Sequence, residues 1–145
     1  GDGDSCQGVR SCASFDPGRF DRQAHQSVRP SFLDQEERTV MKVVNLSDYQ
    51  QFSQEKMKKN NMFQSPRFFC DIYCFEPGQE QKGHIHGEQD KVYLVLEGQG
   101  TFQVGAEKQV LGPGQGTMAP AGEEHGVKNH SDQRLKVLVF VAPNP

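Results

Sequence analysis

The chain has 145 residues, enough for one domain with a single core. Apolar residues make up 34%, and 15 glycines and 8 prolines favour turns and short elements over long helices. A net charge of −3, with no concentration of Lys or Arg, argues against nucleic acid or an anionic membrane as the main partner. No apolar run approaches the roughly 20 residues that a bilayer-spanning helix requires.

Residues 1–40 differ in kind from the rest. They are rich in Asp, Arg, Ser and Gln and hold no sustained period of 2 or 3.6, which predicts an arm or linker unable to build a core alone. No apolar h-region of a signal peptide is present at the N-terminus. Met41 opens "MKVVNLSDY", which would serve equally well as a start, and the domain is expected over 41–145. "SDYQ" fits a capping box of Ser47 with Gln50 and predicts a short helix over about 47–59.

From residue 67 the pattern turns to β. "RFFCDIYCF" is aromatic and branched and ends in the turn "EPGQ". "GHIH", "KVYLVLE", "TFQVG", "KQVL", "TMAP", "HGVKNH" and "LKVLVFVA" follow, separated by Gly, Pro, Asn or Ser. Short strands at this spacing predict an all-β sandwich or barrel. In 92–97, Val92, Leu94 and Leu96 share one face while Tyr93, Val95 and Glu97 share the other. "LKVLVFVA" is apolar on both faces. A barrel fills its interior with one face, so the other needs a cover: a homodimer partner, the arm, or the chain's own helix over 47–59.

The four cysteines do not form a disulfide framework. In one straight strand Cys70 and Cys74 would lie about 13 Å apart at Cα, beyond the reach of a bridge. Cys6 and Cys12 could pair, but in a segment flexible by composition. A reducing, cytoplasmic setting is expected. The glycine-rich stretches "GQGTFQVG" and "GPGQG" lack a following helix and a Lys-Ser/Thr pair, so they are expected to be hairpin turns rather than phosphate cradles.

His84 and His86 on one strand point to the same side, with Cα atoms about 6.6 Å apart. Two imidazoles can converge on one ion from that spacing. His125 lies in "PAGEEHGVKN", a turn opening another strand. His25 and His130 are expected to be solvated surface residues.

These segments resemble the cupin superfamily of small jelly-roll barrels. Gly78, five residues, His84-Ile85-His86 and the closing Gly98 follow its first motif, and Gly114, Pro120, Gly122, His125 and Asn129 its second. The resemblance implies a cupin-type jelly-roll β-barrel in which His84, His86 and His125 bind a divalent transition metal, one of Fe, Zn, Ni, Mn or Cu. It also implies a homodimer and a small-molecule ligand. Lys91 stands where the family usually places a Glu ligand, and an ammonium cannot ligate. Lys91 either points inward and holds an anionic substrate, or yields to Asp90 through a bulge, or reaches solvent while water fills the position. Tyr93 and Asn129, on the faces of Lys91 and His125, are expected to orient the substrate, with Lys91 and Tyr93 as catalytic candidates. The implied function is a metal-dependent enzyme of oxygenase, decarboxylase, isomerase or lyase type acting on a small anionic molecule. The alternatives are a sugar- or acid-binding module without turnover and an interaction scaffold.

Overall fold

The computed structural model describes residues 38–145. The expectations for the 1–40 arm, the pair Cys6 and Cys12, and His25 therefore fall wholly or almost wholly outside the described residues. A 3-10 turn, Leu46–Tyr49, is followed by nine strands. They are β1 (Lys58–Ser65), β2 (Phe68–Phe75), β3 (Glu80–Ile85), β4 (Asp90–Glu97), β5 (Gly100–Val104), β6 (Glu107–Leu111), β7 (Gly116–Ala119), β8 (Glu124–Lys128) and β9 (Leu135–Ala142). Two sheets result, one ordered β1-β2-β9-β4-β7 and one ordered β3-β8-β5-β6, with antiparallel neighbours throughout. This is an all-β fold, as the strand spacing predicts, and the jelly roll that the resemblance implies. No helix among the described residues is long and apolar enough to cross a membrane.

Alternation along the central strands sets the core. Leu135, Val137, Val139 and Val141 of β9 point inward, as do Tyr93 and Val95 of β4 and Tyr73 and Phe75 of β2, and all are buried. Phe102 and Val127 meet them from the four-stranded sheet. Fully burying each branched side chain contributes roughly 1.5–3 kcal/mol, so the aliphatic and aromatic interior carries the fold.

The helix expected over 47–59 does not form. Its first turn is the 3-10 segment, Asn45 rather than Ser47 stands at its N-cap, and no side chain caps it. Side chains of Lys136, Asn60 and Gln79 bond the residues that follow it instead. Lys136 Nζ donates to Gln50 Oε1 at 2.8 Å, Asn60 Nδ2 to the Gln51 carbonyl at 3.1 Å, and Gln79 Nε2 to the Ser53 carbonyl at 2.7 Å. Residues 58–65 then pair with β2 as a strand that their polar sequence does not announce. Pairing and burial override a weak local helix preference here.

The outer face of the five-stranded sheet is half covered. Val44, Tyr49 and Phe52 pack over Met62, Ile72 and Cys74. Val92, Leu94, Met118 and Phe140 remain 36–51% exposed. Phe140, Val92 and Met118 are direct register partners across β9, β4 and β7, which makes them one row. Cys70 and Cys74 are both free.

Asn129 ties the bottom of the barrel together. Its Nδ2 donates to the Phe75 and Gln133 carbonyls, and its Oδ1 accepts from Ser131 N and Ser131 Oγ. Its backbone bonds Gly78 and Gln79. Asn129→Ala strands buried carbonyls, so a loss of roughly 2–3 kcal/mol in urea denaturation is expected, with the histidine cluster retained.

Candidate metal centre

One irregularity in β3 brings Gln81 and His84 to the same side of the sheet. Gln81 and His84 are three residues apart, so a regular strand would send them to opposite faces. Between them the register of β3 against β8 shifts: Gln81 pairs with Val127, yet His84 pairs with His125. The extra residue is a β-bulge, and it returns His84 to the side that Gln81 occupies. His86 follows by alternation. Gly126 lies opposite the bulge, and a Cβ there would stand 2.9 Å from the Gln81 carbonyl oxygen and 3.0 Å from Gly83 N. A side chain at 126 would therefore push the bulge apart.

The three imidazoles converge. Ring centroids lie 4.4 Å apart for His84 and His125, 4.7 Å for His84 and His86, and 5.3 Å for His86 and His125. One ring nitrogen from each falls within 4.8 Å of the others. The backbone sets the tautomers of two of them. His84 Nδ1 donates to the Lys82 carbonyl and His125 Nδ1 to the Glu123 carbonyl, each at 2.9 Å. A carbonyl oxygen only accepts, so the proton sits on Nδ1 and Nε2 keeps its lone pair. His125 Nε2 is buried and has no hydrogen-bond partner.

Burial also keeps these rings neutral. It pushes His125 down to about 4, with the nearby Lys91 charge acting in the same direction. His84 and His86 are lowered too, chiefly by burial, with Lys91 and Lys59 adding to it. A neutral imidazole with a free Nε2 is the form that binds a metal. The donor set therefore fits the ion that the family resemblance implies.

Lys91 points into the barrel and is 1% exposed. Its Nζ donates to Gln81 Oε1 at 3.2 Å and stands 5.1 Å from the ring centroids of both Tyr73 and Tyr93. Burial pushes its pKa down to about 7, with Lys59 lowering it further and Asp71 opposing. Tyr93 is fully buried with no partner for its hydroxyl, and burial raises its pKa, so the group stays protonated. Asp90 is exposed, and its Oδ1 accepts from Ala121 N at 2.9 Å. No bulge occurs at that position, since the register runs unbroken from Asp90 to Val95. Asp90 and the bond from Gly122 N to the His86 carbonyl both hold the loop leading to His125. Asn129 spends its amide on the corner described above. His130 is exposed and shares a hydrogen bond with Thr101.

Four further residues around Lys91 are not singled out by the sequence pattern: Lys59, Asp71, Tyr73 and Gln81. Lys59 belongs to the unannounced strand β1, where it pairs with Tyr73 and stays exposed at the rim. Asp71 is buried, accepts from Asn61 Nδ2 at 2.6 Å, and has its pKa raised by burial. Its signal is present in the sequence, because it alternates with Tyr73 and Phe75 in an aromatic strand.

A two-sheet jelly roll with three inward histidines on paired strands defines a barrel protein with a candidate mononuclear metal site. The Cupin domain family matches residues 71–141. Among solved structures, TT1209 from Thermus thermophilus is 44% identical, with a TM-score of 0.70, covering 72% of this chain and 100% of that one. An RmlC-like cupin from Desulfovibrio desulfuricans is 34% identical, with a TM-score of 0.61, covering 72% and 98%. A predicted oxalate decarboxylase from Thermotoga maritima, 17% identical at a TM-score of 0.63 and covering 70% and 98%, shares the fold. No curated protein matches. The chain belongs to the cupin superfamily.

Lys91 gives a test of the interior's polarity. Its folded pKa of about 7 lies below the ordinary lysine value of 10.5, so between those values the unfolded chain holds more protons than the native state. Stability of the metal-free protein should rise with pH across that window, and the cost of the buried charge is fully present below it. Lys91→Met should raise the melting temperature at pH 7 and flatten that rise, as read by thermal denaturation across a pH series.

Proposed function

We propose that this cupin is a metal-dependent enzyme acting on a small carboxylate-bearing molecule, with His84, His86 and His125 as the protein ligands. The observation that carries the reading is the buried, unpartnered Nε2 of His125, whose tautomer the Glu123 carbonyl fixes. Leaving such a nitrogen without a partner is costly, and an ion satisfies it. Imidazole ligands suit Fe, Zn, Ni or Cu, and Mn in an oxygen-rich remainder. The chemistry supplied there is Lewis-acid polarisation of a carboxylate, carbonyl or enolate oxygen.

The chain's own groups do the rest. Lys91, in the position of the usual carboxylate ligand, holds the anionic group of the substrate and can release a proton near neutral pH. Tyr93 keeps its proton and donates a hydrogen bond from its hydroxyl to a substrate oxygen, since burial keeps it from ionising. The aromatic walls of Tyr73 and Tyr93 exclude water around the ammonium, which strengthens its pull on an anion. A module that binds the same anion without converting it uses the same contacts, and product formation by the metal-loaded protein separates the two.

The exposed row of Val92, Met118 and Phe140 supports a homodimer. A two-fold dimer brings the same patch of both subunits together, and the chain's own Val44, Tyr49 and Phe52 cover the other half of the sheet face.

Elemental analysis of protein purified without a His tag should find about one transition metal per chain. His84→Ala, His86→Ala and His125→Ala should each lose it while keeping the fold, whereas Asp90→Ala should keep it. Full occupancy in His125→Ala sinks the reading. Light scattering at micromolar concentration should give a dimer mass, and Met118→Glu should give a monomer; a wild-type monomer removes the dimer.

A further inference from the structure

Lys91 is a buried ammonium whose hydrogen-bond partner is a neutral amide, Gln81. Among the described residues no carboxylate forms an ion pair with it or with Lys59. Asp71 is felt electrostatically by Lys91 and by Lys59, but its Oδ1 is engaged by Asn61. Burying an ammonium without a counter-charge is expensive. One buried ammonium and one exposed at the rim thus face a single carboxylate before any metal is counted.

Lys59 shares Tyr73 with Lys91, its Nζ lying 5.3 Å from the centroid of the same ring. It also lines a cleft of about 530 Å³ at the start of β1, together with Lys56, Met57, Lys58, Glu80 and Gln81. The wall of this cleft reaches the inner site, because Gln81 is both a lining residue and the partner of Lys91. Met57 packs against the barrel core and gives the cleft an apolar floor. Glu80, the acidic residue on the lining, is exposed. Lys59 in the cleft and Lys91 beside the three histidines stand against one tyrosine ring, two cations placed to hold a ligand with an anionic group at each end of a short carbon chain.

Building on the reading of His84, His86 and His125 as a metal centre, we propose that the ligand is a small dicarboxylate, with one carboxylate at the histidines and Lys91 and the other at Lys59. Lys59 is then the residue that selects dicarboxylates over monocarboxylates. A charge-assisted contact made by one ligand end is absent for a ligand that lacks that end, while the contacts at the histidines are common to both.

Cobalt(II)-loaded protein, with metal content measured, tests this by calorimetric titration with glutarate and with butyrate, a pair matched in carbon framework apart from the second carboxylate. Wild type should bind glutarate about tenfold more tightly or better. Lys59→Met should bring the two affinities close together with cobalt content unchanged, and Lys59→Gln repeats the test if the methionine variant misfolds. Equal affinities in wild type overturn the dicarboxylate proposal, and a preference that survives both substitutions with cobalt bound overturns the assignment of Lys59; neither result touches the metal-centre reading. Failure to take up cobalt, or uptake that survives His125→Ala, overturns the metal-centre reading and this proposal with it.

Discussion

The site depends on one irregularity in one strand pair. The bulge between Gln81 and His84 reverses the parity of β3, so that Gln81, His84 and His86 all face the interior across from His125. Without it, the histidines that share a face with each other would not share one with Gln81, and the amide that meets Lys91 would turn to solvent. The bulge in turn needs the backbones of Gln81, Gly83 and Gly126 in close approach, which a Cβ at Gly126 would prevent. A glycine facing a bulge is thus what lets three converging histidines and the Gln81 partner of a buried lysine share the barrel interior.

The second constraint is dielectric. The barrel interior is mainly Val, Leu and aromatic side chains, and such surroundings lower the affinity of His125 and Lys91 for protons and raise that of Tyr93. Each group is thereby held in one form: imidazoles neutral, a lysine poised near neutrality, a phenol protonated. Burying these groups opposes stability, and the aliphatic interior offsets that cost. Interiors with this mixture are where chemistry is concentrated in folded proteins.

Asp90 and Asn129 have different tasks from those that their positions suggest. Asp90 faces out and accepts from Ala121 N, while the His86 carbonyl accepts from Gly122 N, so both sides of the entry to β8 are pinned. Asn129 fills its amide with carbonyls and a serine at the opposite end of β8. The strand carrying His125 is held at both ends by polar residues that local spacing places near the histidines and that geometry directs elsewhere.

Strand number, apart from β1, was legible because alternation and turn residues are local properties. Spacing also put His84 and His86 on one side, and their grouping with His125 was implied by the resemblance to the cupin motifs. The inward face of Lys91 and Tyr93 follows from the period of two in β4, once Val95 is known to lie in the core. Three things needed the tertiary structure. Residues 58–65 are polar and become a strand because β2 offers its edge. The register shift at Gln81 cannot be read from β3 alone, since a bulge is a relation between two strands. Asp71, Lys59 and Tyr73 meet Lys91 through pairings between β1, β2, β9 and β4, which are remote in sequence. Local periodicity determined what each segment could be, and pairing between distant segments decided which side chains share the cavity.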